Sequence, residues 1–412
     1  MTKIYHADLW GSREDKYRYL QEHDVTTVEW TEIFPQSPFY LFCPQNTDLL
    51  TEYNSGWKIT EIMPVHVYGF KSHRDHYAID FDANALKHRI DELVKISILD
   101  DPIYSSKHNL GSWDYKSASQ ALSKQKDYLE NLDLCAYRPF DNRPMFYSSL
   151  IMDRIRPALK RHLFKKNNFC LVCSRQISHL EYKHFFVSDL VPNDCLISNI
   201  TKESNHNFPL YLYPDTANQQ GNLFVEKSPN LSSDFITAIR EKLSYIPTPE
   251  AIFYYIYAIF HSPTYRQRYA EFLKIDFPRV PLTSNDKLFK DLGAKGQELV
   301  DLHLMKSNKL NNLITKIGGD GDNAVTEVTY KPKEQRVYIN KTRYFEGIAP
   351  DVWEFKIGGY QVLSKWLKDR NKAKRTLSFD ELLHYQKVVV ALKKTMELME
   401  EIDQLIPSFP IE

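Results

Sequence analysis

From Ser378 onward the sequence commits to one long helix whose face must be covered. Ser378 and Glu381 stand at the two positions of a capping box, which satisfies the first free amide groups of a helix from both sides. Leu382, Tyr385, Val389, Leu392, Met396 and Met399 then recur at alternating spacings of three and four. That is a heptad seam, and it is stable only against another helix. The segment around Tyr360 to Trp366, or a neighbouring domain, is the expected cover. A fold with such a helix at its end cannot be a plain β-sandwich or barrel.

The rest of the chain changes character along its length. To about residue 130, short strands and helices alternate. Ser12 is placed to cap a helix running toward Gln21, with Asp15 at the capping-box position. Residues 83–96 put Leu86, Ile90 and Leu93 on one helical face. Tyr68–Asp75 reads as a polar loop between apolar strands. From Cys135 to Pro214 the pattern turns to β. Phe169–Cys173, His184–Ser188, Cys195–Asn199 and Phe208–Tyr213 are short, aromatic and β-branched, and bounded by Asn, Asp and Pro. A helix over about Asp153–Leu163 interrupts them, with Pro157 as an alternative start. A polar break covers Ala217–Ser233. Thr248-Pro249-Glu250 then opens a helix, and Ser262-Pro263 ends it and begins another, running to about Ile275. Residues 323–345 return to strand, with a hairpin around Lys331-Pro332-Lys333 after the turn Gly318–Asp322. With 412 residues, more than one core is expected. The reading is α+β: a mixed, β-rich subdomain over 1–245, then a mainly helical subdomain over 246–412 carrying the hairpin and the heptad helix.

Net charge is zero, so overall composition gives no argument for a polyanionic partner. Its distribution does. Between Arg138 and Lys183 there are ten Lys/Arg against three acids, and between Lys365 and Arg375 six against Asp369 alone. Met396–Glu412 carries five acids and no base, so that end should face away from phosphate. Five scattered cysteines give no disulfide framework and fit a reducing cytoplasm. The N-terminus opens with charged and polar residues, unlike a signal peptide. The longest apolar run, Ala251–Phe260, is about half of what a bilayer span requires, so no membrane partner is expected.

Several chemistries are excluded by missing motifs. There is no phosphate-binding Gly-x-x-x-x-Gly-Lys-Ser/Thr, no Gly-x-Gly-x-x-Gly after a strand, and no Asn/Asp-Pro-Pro-Tyr to grip an extruded adenine. No cofactor is expected. Cys170-Leu-Val-Cys173 has metal-ligand spacing but no second pair, and reads as buried structural cysteine. His73-Arg-Asp-His76 is a lone pair of imidazoles in a loop, and Asp320-Gly-Asp322 lacks the rest of a calcium loop. One enzyme pattern stands as an alternative. Glu181-x-Lys183, with Asp153 upstream, has the residue types of a Mg²⁺-dependent nuclease. A protein-binding scaffold built on the heptad helix is the other.

The basic groups suggest DNA instead. Arg138 and Arg143 sit in a Pro-bounded turn, where Asp141 also offers a structural partner. Arg154 and Arg156 follow, then Arg175-Gln176 at a strand end, then Lys183. Arginine forks fit phosphate and the O6/N7 edge of guanine, and glutamine fits adenine N6/N7. Lys71, Ser72 and Arg74 in the Tyr68–Asp75 loop form a further candidate group. In the hairpin, Arg336, Tyr338 and Asn340 are expected to alternate on one strand face, with Lys341 and Arg343 beyond, as a β-ribbon entering the major groove would require. A charged edge strand that blocks aggregation gives the same pattern.

The sequence also resembles the specificity region of type ISP restriction-modification enzymes. The resemblance is carried by Leu9–Lys16, Tyr68–Asp75, Tyr137–Arg143, Phe208–Pro214, Tyr254–Arg266, Phe277–Pro281, and Ile357–Leu363 through Trp366–Arg370. It implies a non-catalytic, sequence-specific reader of double-stranded DNA. In such enzymes nuclease, translocase and N6-adenine methyltransferase parts precede this region. The implied partners are therefore DNA and a methyltransferase domain of the same or an associated polypeptide, in the service of phage defence.

Overall fold

The computed structural model describes residues 2–37, 40–96, 102–178, 181–215 and 226–411. The chain divides into two compact units, residues 1–51 and 52–412. In the first, β1 (Ile4–His6) pairs antiparallel with β2 (Thr31–Ile33). The Arg13–Glu22 helix lies between them in sequence. Ser12 caps it, accepting from the Asp15 amide at 3.1 Å, as the sequence suggests.

The second unit carries the α+β architecture. Short β3 (Trp57–Lys58) pairs with β13 (Arg279–Val280), joining residues far apart in sequence. A four-stranded antiparallel sheet runs in the order β4 (Val67–Tyr68), β10 (Asn205–Pro209), β7 (Cys170–Ser174), β8 (Phe185–Ser188). Every residue of β7, β8 and β10 is buried; β7 and β8 read as nearly continuous apolar runs, whereas β10 buries Asn205, His206 and Asn207, the two asparagines joined by a 2.9 Å hydrogen bond. Beside it lie β5 (Leu132–Arg138) and β6 (Asp141–Phe146), an antiparallel pair, with β9 (Val191–Pro192) parallel to β5. A two-stranded ribbon joins β11 (Tyr211–Leu212) to β12 (Ser228–Pro229).

The helix after β6 takes the alternative start at Pro157, because proline favours the first helical position. One element differs from expectation: Cys195–Asn199 is not a strand. Its amides are taken elsewhere: Cys195 N bonds to Asn193 Oδ1 at 3.0 Å and Leu196 N to Asn205 Oδ1 at 3.1 Å. The Ile197 carbonyl accepts from Gly359 N at 2.9 Å. The polar break at Ala217–Ser233 falls largely outside the described residues.

The helical part forms as its caps dictate. Thr248 caps Pro249–His261, accepting from the Ala251 amide at 3.2 Å. Ser262 caps Pro263–Arg268, and a break at Tyr269 separates this helix from Ala270–Leu273. Asp286–His303 packs along Pro249–His261. At Gly296 a Cβ would stand 1.8 Å from the Tyr254 carbonyl oxygen, so only glycine allows the two backbones to approach this closely.

The closing helix, Phe379–Leu405, has the expected capping box. Its main cover is the Asp286–His303 helix, and Val362–Lys372 also contributes, with Trp366 and Tyr385 rings 5.2 Å apart. Leu382, Tyr385, Val389 and Leu392 are buried as the heptad requires. Beyond them Thr395, Leu398 and Ile402 are buried while Met396 and Met399 are half-buried. A helix of 3.6 residues per turn drifts about 20° per heptad, so the covered face leaves a strict seven-residue repeat.

The C-terminal sheet has the order β14 (Lys316–Gly318), β17 (Tyr344–Glu346), β16 (Arg336–Tyr338), β15 (Thr329–Lys331). β15 and β16 form the expected hairpin. Among the described residues no helix is long and apolar enough to cross a membrane.

Candidate nucleic-acid interface

At one end of the four-stranded sheet, five residues of the basic groups named from the sequence converge. Lys71, Arg154, Arg156, Arg175 and Gln176 line a pocket of about 340 Å³ together with Tyr68, Lys202, Ser204 and His206. Five of these nine residues are cationic and none is acidic.

Backbone pairing explains the convergence. β4 pairs with β10 so that Tyr68 faces His206, their rings 4.1 Å apart. The chain then passes between β10 and β9: Gly69 N bonds to the Asn205 carbonyl and Phe70 N to that of Pro192. A Cβ at Gly69 would stand 2.4 Å from the Asp194 backbone, so the passage requires glycine. Lys71 and Arg154 exchange both backbone hydrogen bonds, each 3.0 Å, which fixes two cations side by side. Arg175 and Gln176 leave the end of β7, and Lys202 and Ser204 precede β10.

Two cations have acidic backing. Lys71 Nζ is 2.7 Å from Asp194 Oδ2, and Arg175 Nε is 3.5 Å from Asp276 Oδ1. Gln176 Nε2 donates to the Ile275 carbonyl at 3.2 Å, and Arg156 Nε to that of Gly69 at 3.3 Å. Burial pushes the His206 imidazole down to about 3, with His66 and Arg175 adding in the same direction. It is neutral at physiological pH, and its Nδ1 lies 3.1 Å from that of His66. The arrangement is a concave site with five cations in its lining and two carboxylates behind them, a net positive charge suited to a polyanion.

The other candidates lie elsewhere. Ser72 is buried, bonded to Asp75, and accepts from Arg74 N. Arg74 holds the Ile151 carbonyl at 2.7 Å and Asp153 at 2.6 Å. Arg138 donates to Asn193 Oδ1 at 3.1 Å and stacks 4.0 Å from the Tyr137 ring. Arg143 is buried on Asp141, whose other oxygen takes Arg370 at 3.0 Å. Lys183 pairs with Glu181 at 2.5 Å. In the hairpin, Arg336 bonds to Glu346 at 3.2 Å. Asn340 is not on its strand face. β16 ends at Tyr338, and Asn340 ties the following turn, donating to the carbonyls of Asp322 and Ala324 and accepting from Thr342 N and Arg343 N. Arg343 donates to Asn323 and to the Gly319 carbonyl. Lys341 is exposed.

Lys202, Tyr68, Ser204 and His206 were not expected as site residues. Lys202 lies outside the basic cluster, and no local pattern marks it. Of the nuclease pattern, Asp153 is held by Arg74 and by His73 at 2.7 Å, whereas Glu181 is held by Lys183. Among the described residues no three His, Cys, Asp or Glu side chains gather to hold a metal. Both thiols of Cys170 and Cys173 are buried, which pushes them well above the usual thiol range.

Comparison with known proteins gives a consistent result. Residues 61–401 match the model of the type ISP C-terminal specificity domain. Among solved structures, the chain is similar to a nuclease-deletion mutant of the type ISP restriction-modification enzyme LlaGI in complex with a DNA substrate mimic. The TM-score is 0.71 at 19% identity, covering 100% of this chain and 33% of that one. It is similar to the ATP-dependent type ISP enzyme LlaBIII bound to DNA, with TM-score 0.70, 21% identity, and 93% and 26% coverage. It is similar also to DrdV in a DNA complex, with TM-score 0.73, 18% identity, and 100% and 44% coverage. At these identities the likeness is one of fold. The chain spans less than half the length of each. No curated protein sequence matches it.

Proposed function

Since the chain belongs to the type ISP C-terminal specificity domain family, we propose that it reads a specific sequence in double-stranded DNA and has no catalytic centre of its own. Cleavage, translocation and N6-adenine methylation would then be the work of other parts of the same or an associated polypeptide. The observation that carries the reading is the pocket of Lys71, Arg154, Arg156, Arg175 and Lys202, five cations with no acid in the lining. Arginine and lysine hold phosphates and set register, while Arg175 and Gln176 on a rigid strand end are the base readers. Arg74, which bonds Asp153 beside Arg154, and Arg138, which bonds Asn193 beside Asp194, hold neighbours of the pocket residues in place. Lys341, exposed in the turn after β16, is a separate candidate for phosphate. We propose further that residues 1–245 and 246–412 act as two halves of the reader, with the pocket in the first.

The test is a selection of binding sequences from random duplexes, followed by titration of the winner against its scrambled counterpart. A preferred sequence that binds more tightly, with affinity falling steeply in salt, supports the reading. Absence of duplex binding at low salt overturns it.

A further inference from the structure

The two walls of the pocket leave the same end of a strand pair. Asn205 of β10 faces Ser174 of β7, and that is the last rung of the ladder. Beyond it Arg175 and Gln176 run one way, and Ser204 and Lys202 the other. Backbone pairing therefore does not fix the distance between them.

Glu203 spans this gap. It is fully buried, between the pocket residues Lys202 and Ser204. Its Oε1 accepts from the Ser178 amide at 2.6 Å, two residues past Gln176. Its Oε2 accepts from Ser198 Oγ at 2.6 Å and His184 Nε2 at 3.0 Å. Its main-chain carbonyl takes Ser174 Oγ at 2.5 Å. Although burial pushes its acidity down, these hydrogen bonds from His184, Ser198 and Ser178 hold its pKa at about 2, so it is a carboxylate. A buried carboxylate held by three donors from three different segments is a rigid strut.

We propose that Glu203 is the positioning residue of the DNA-reading pocket, a buried carboxylate that sets the spacing between the Arg175–Gln176 wall and the Lys202–Ser204 wall. The inference rests on the DNA-reading function proposed above. The spacing matters for sequence discrimination, because a base edge is read only by donors held at fixed separation. It matters little for phosphate attraction, which tolerates displacement.

Two substitutions separate geometry from charge. Glu203→Asp keeps the charge and shortens the reach by one methylene, so it cannot serve Ser178 and His184 together. Glu203→Gln keeps the length. Its carbonyl still accepts from Ser178, while Ser198 and His184 can reorient or change tautomer to accept from its amide. Each is measured in the full chain for thermal stability, for affinity to preferred and scrambled duplexes, and for amide hydrogen exchange over residues 175–178. Glu203→Asp should lose about tenfold on the preferred duplex, stay within about twofold on the scrambled one, keep its salt slope, and exchange faster at Ser178. Glu203→Gln should retain discrimination. Should Glu203→Asp fail to fold, Ser198→Ala removes one donor to the same carboxylate and is read the same way. Unchanged discrimination and exchange in Glu203→Asp overturn the proposal, as does an equal loss in both variants on both duplexes. If the wild-type chain prefers no sequence, the DNA-reading function fails instead, and hydrogen exchange still decides whether Glu203 fixes the wall.

Discussion

Replacing Arg154 by alanine isolates the phosphate-binding part of the interaction. The Arg154 backbone pairs with Lys71 through two hydrogen bonds that alanine keeps, and its exposed side chain lines the pocket. Folding stability should therefore stay within about 0.5 kcal/mol of the wild type. Binding should not. Each phosphate neutralised adds about 0.9 to the slope of log affinity against log salt. With Arg175 reading a base, the four remaining pocket cations give a slope of about −3.6, which is about a 150-fold loss between roughly 50 and 200 mM salt. Lys71 already has a carboxylate partner, so the wild-type slope should fall between about −2.7 and −3.6. Among the described residues Arg154 has no such carboxylate partner, and its removal should take the full 0.9 or so. The loss over that salt range then shrinks by about 3.5-fold, alike for preferred and scrambled duplexes. Binding isotherms at several salt concentrations measure this. An unchanged slope with weaker binding, or a loss confined to one base position, would refute the phosphate assignment.

Other expectations follow from the same geometry. Asp141→Ala leaves the buried guanidinium groups of Arg143 and Arg370 with only their longer contacts to Asp369 and Glu381, and should cost about 2–4 kcal/mol in urea unfolding. His206 and His303 are buried neutral, each pushed down to about 3 chiefly by desolvation. Their folded pKa lies below the unfolded value of about 6.5, so the unfolded state binds more protons between the two. Their contribution is complete above about pH 6.5 and is lost as pH falls toward 3, at about 1.4 kcal/mol per pH unit for each; denaturation midpoints that do not move across that window refute the burial argument. Glu181→Ala should leave DNA binding and stability nearly unchanged and reveal no nuclease activity, since its carboxylate is exposed and pairs with Lys183 at the surface; metal-dependent cutting by the wild type that vanishes in this variant would restore the nuclease reading.

What was legible in the sequence was local. Ser12, Thr248 and Ser378 act on amides three residues away, so the caps are written where they work. The Ala83–Lys95 helix buries Leu86, Ile90 and Leu93 because one turn predicts the next. Cys195–Asn199 has strand-forming residues, but Asn193, Asn205 and Gly359 claim its hydrogen-bonding groups, and two of those partners come from other elements. The pocket was visible only in fragments. Lys71, Arg154 and Arg175-Gln176 stood out as basic groups, but nothing in the sequence placed them beside Lys202 and His206. Arg138 and Arg143 show the converse. They stand out as a basic turn in the sequence, yet aromatic rings and Asp141 hold them.

The Asp141–Arg370 contact also bears on how the chain is made. β5 and β6 are neighbours in sequence and can pair soon after they leave the ribosome. Arg370, which takes the other oxygen of the buried Asp141, lies 229 residues later. At synthesis rates of about 5–20 residues per second, that is a wait of roughly 10–50 seconds. Until then Arg143 holds only one oxygen of Asp141, and burying the other without a partner is costly, so this end of the strand pair is expected to close only when the C-terminal helices arrive.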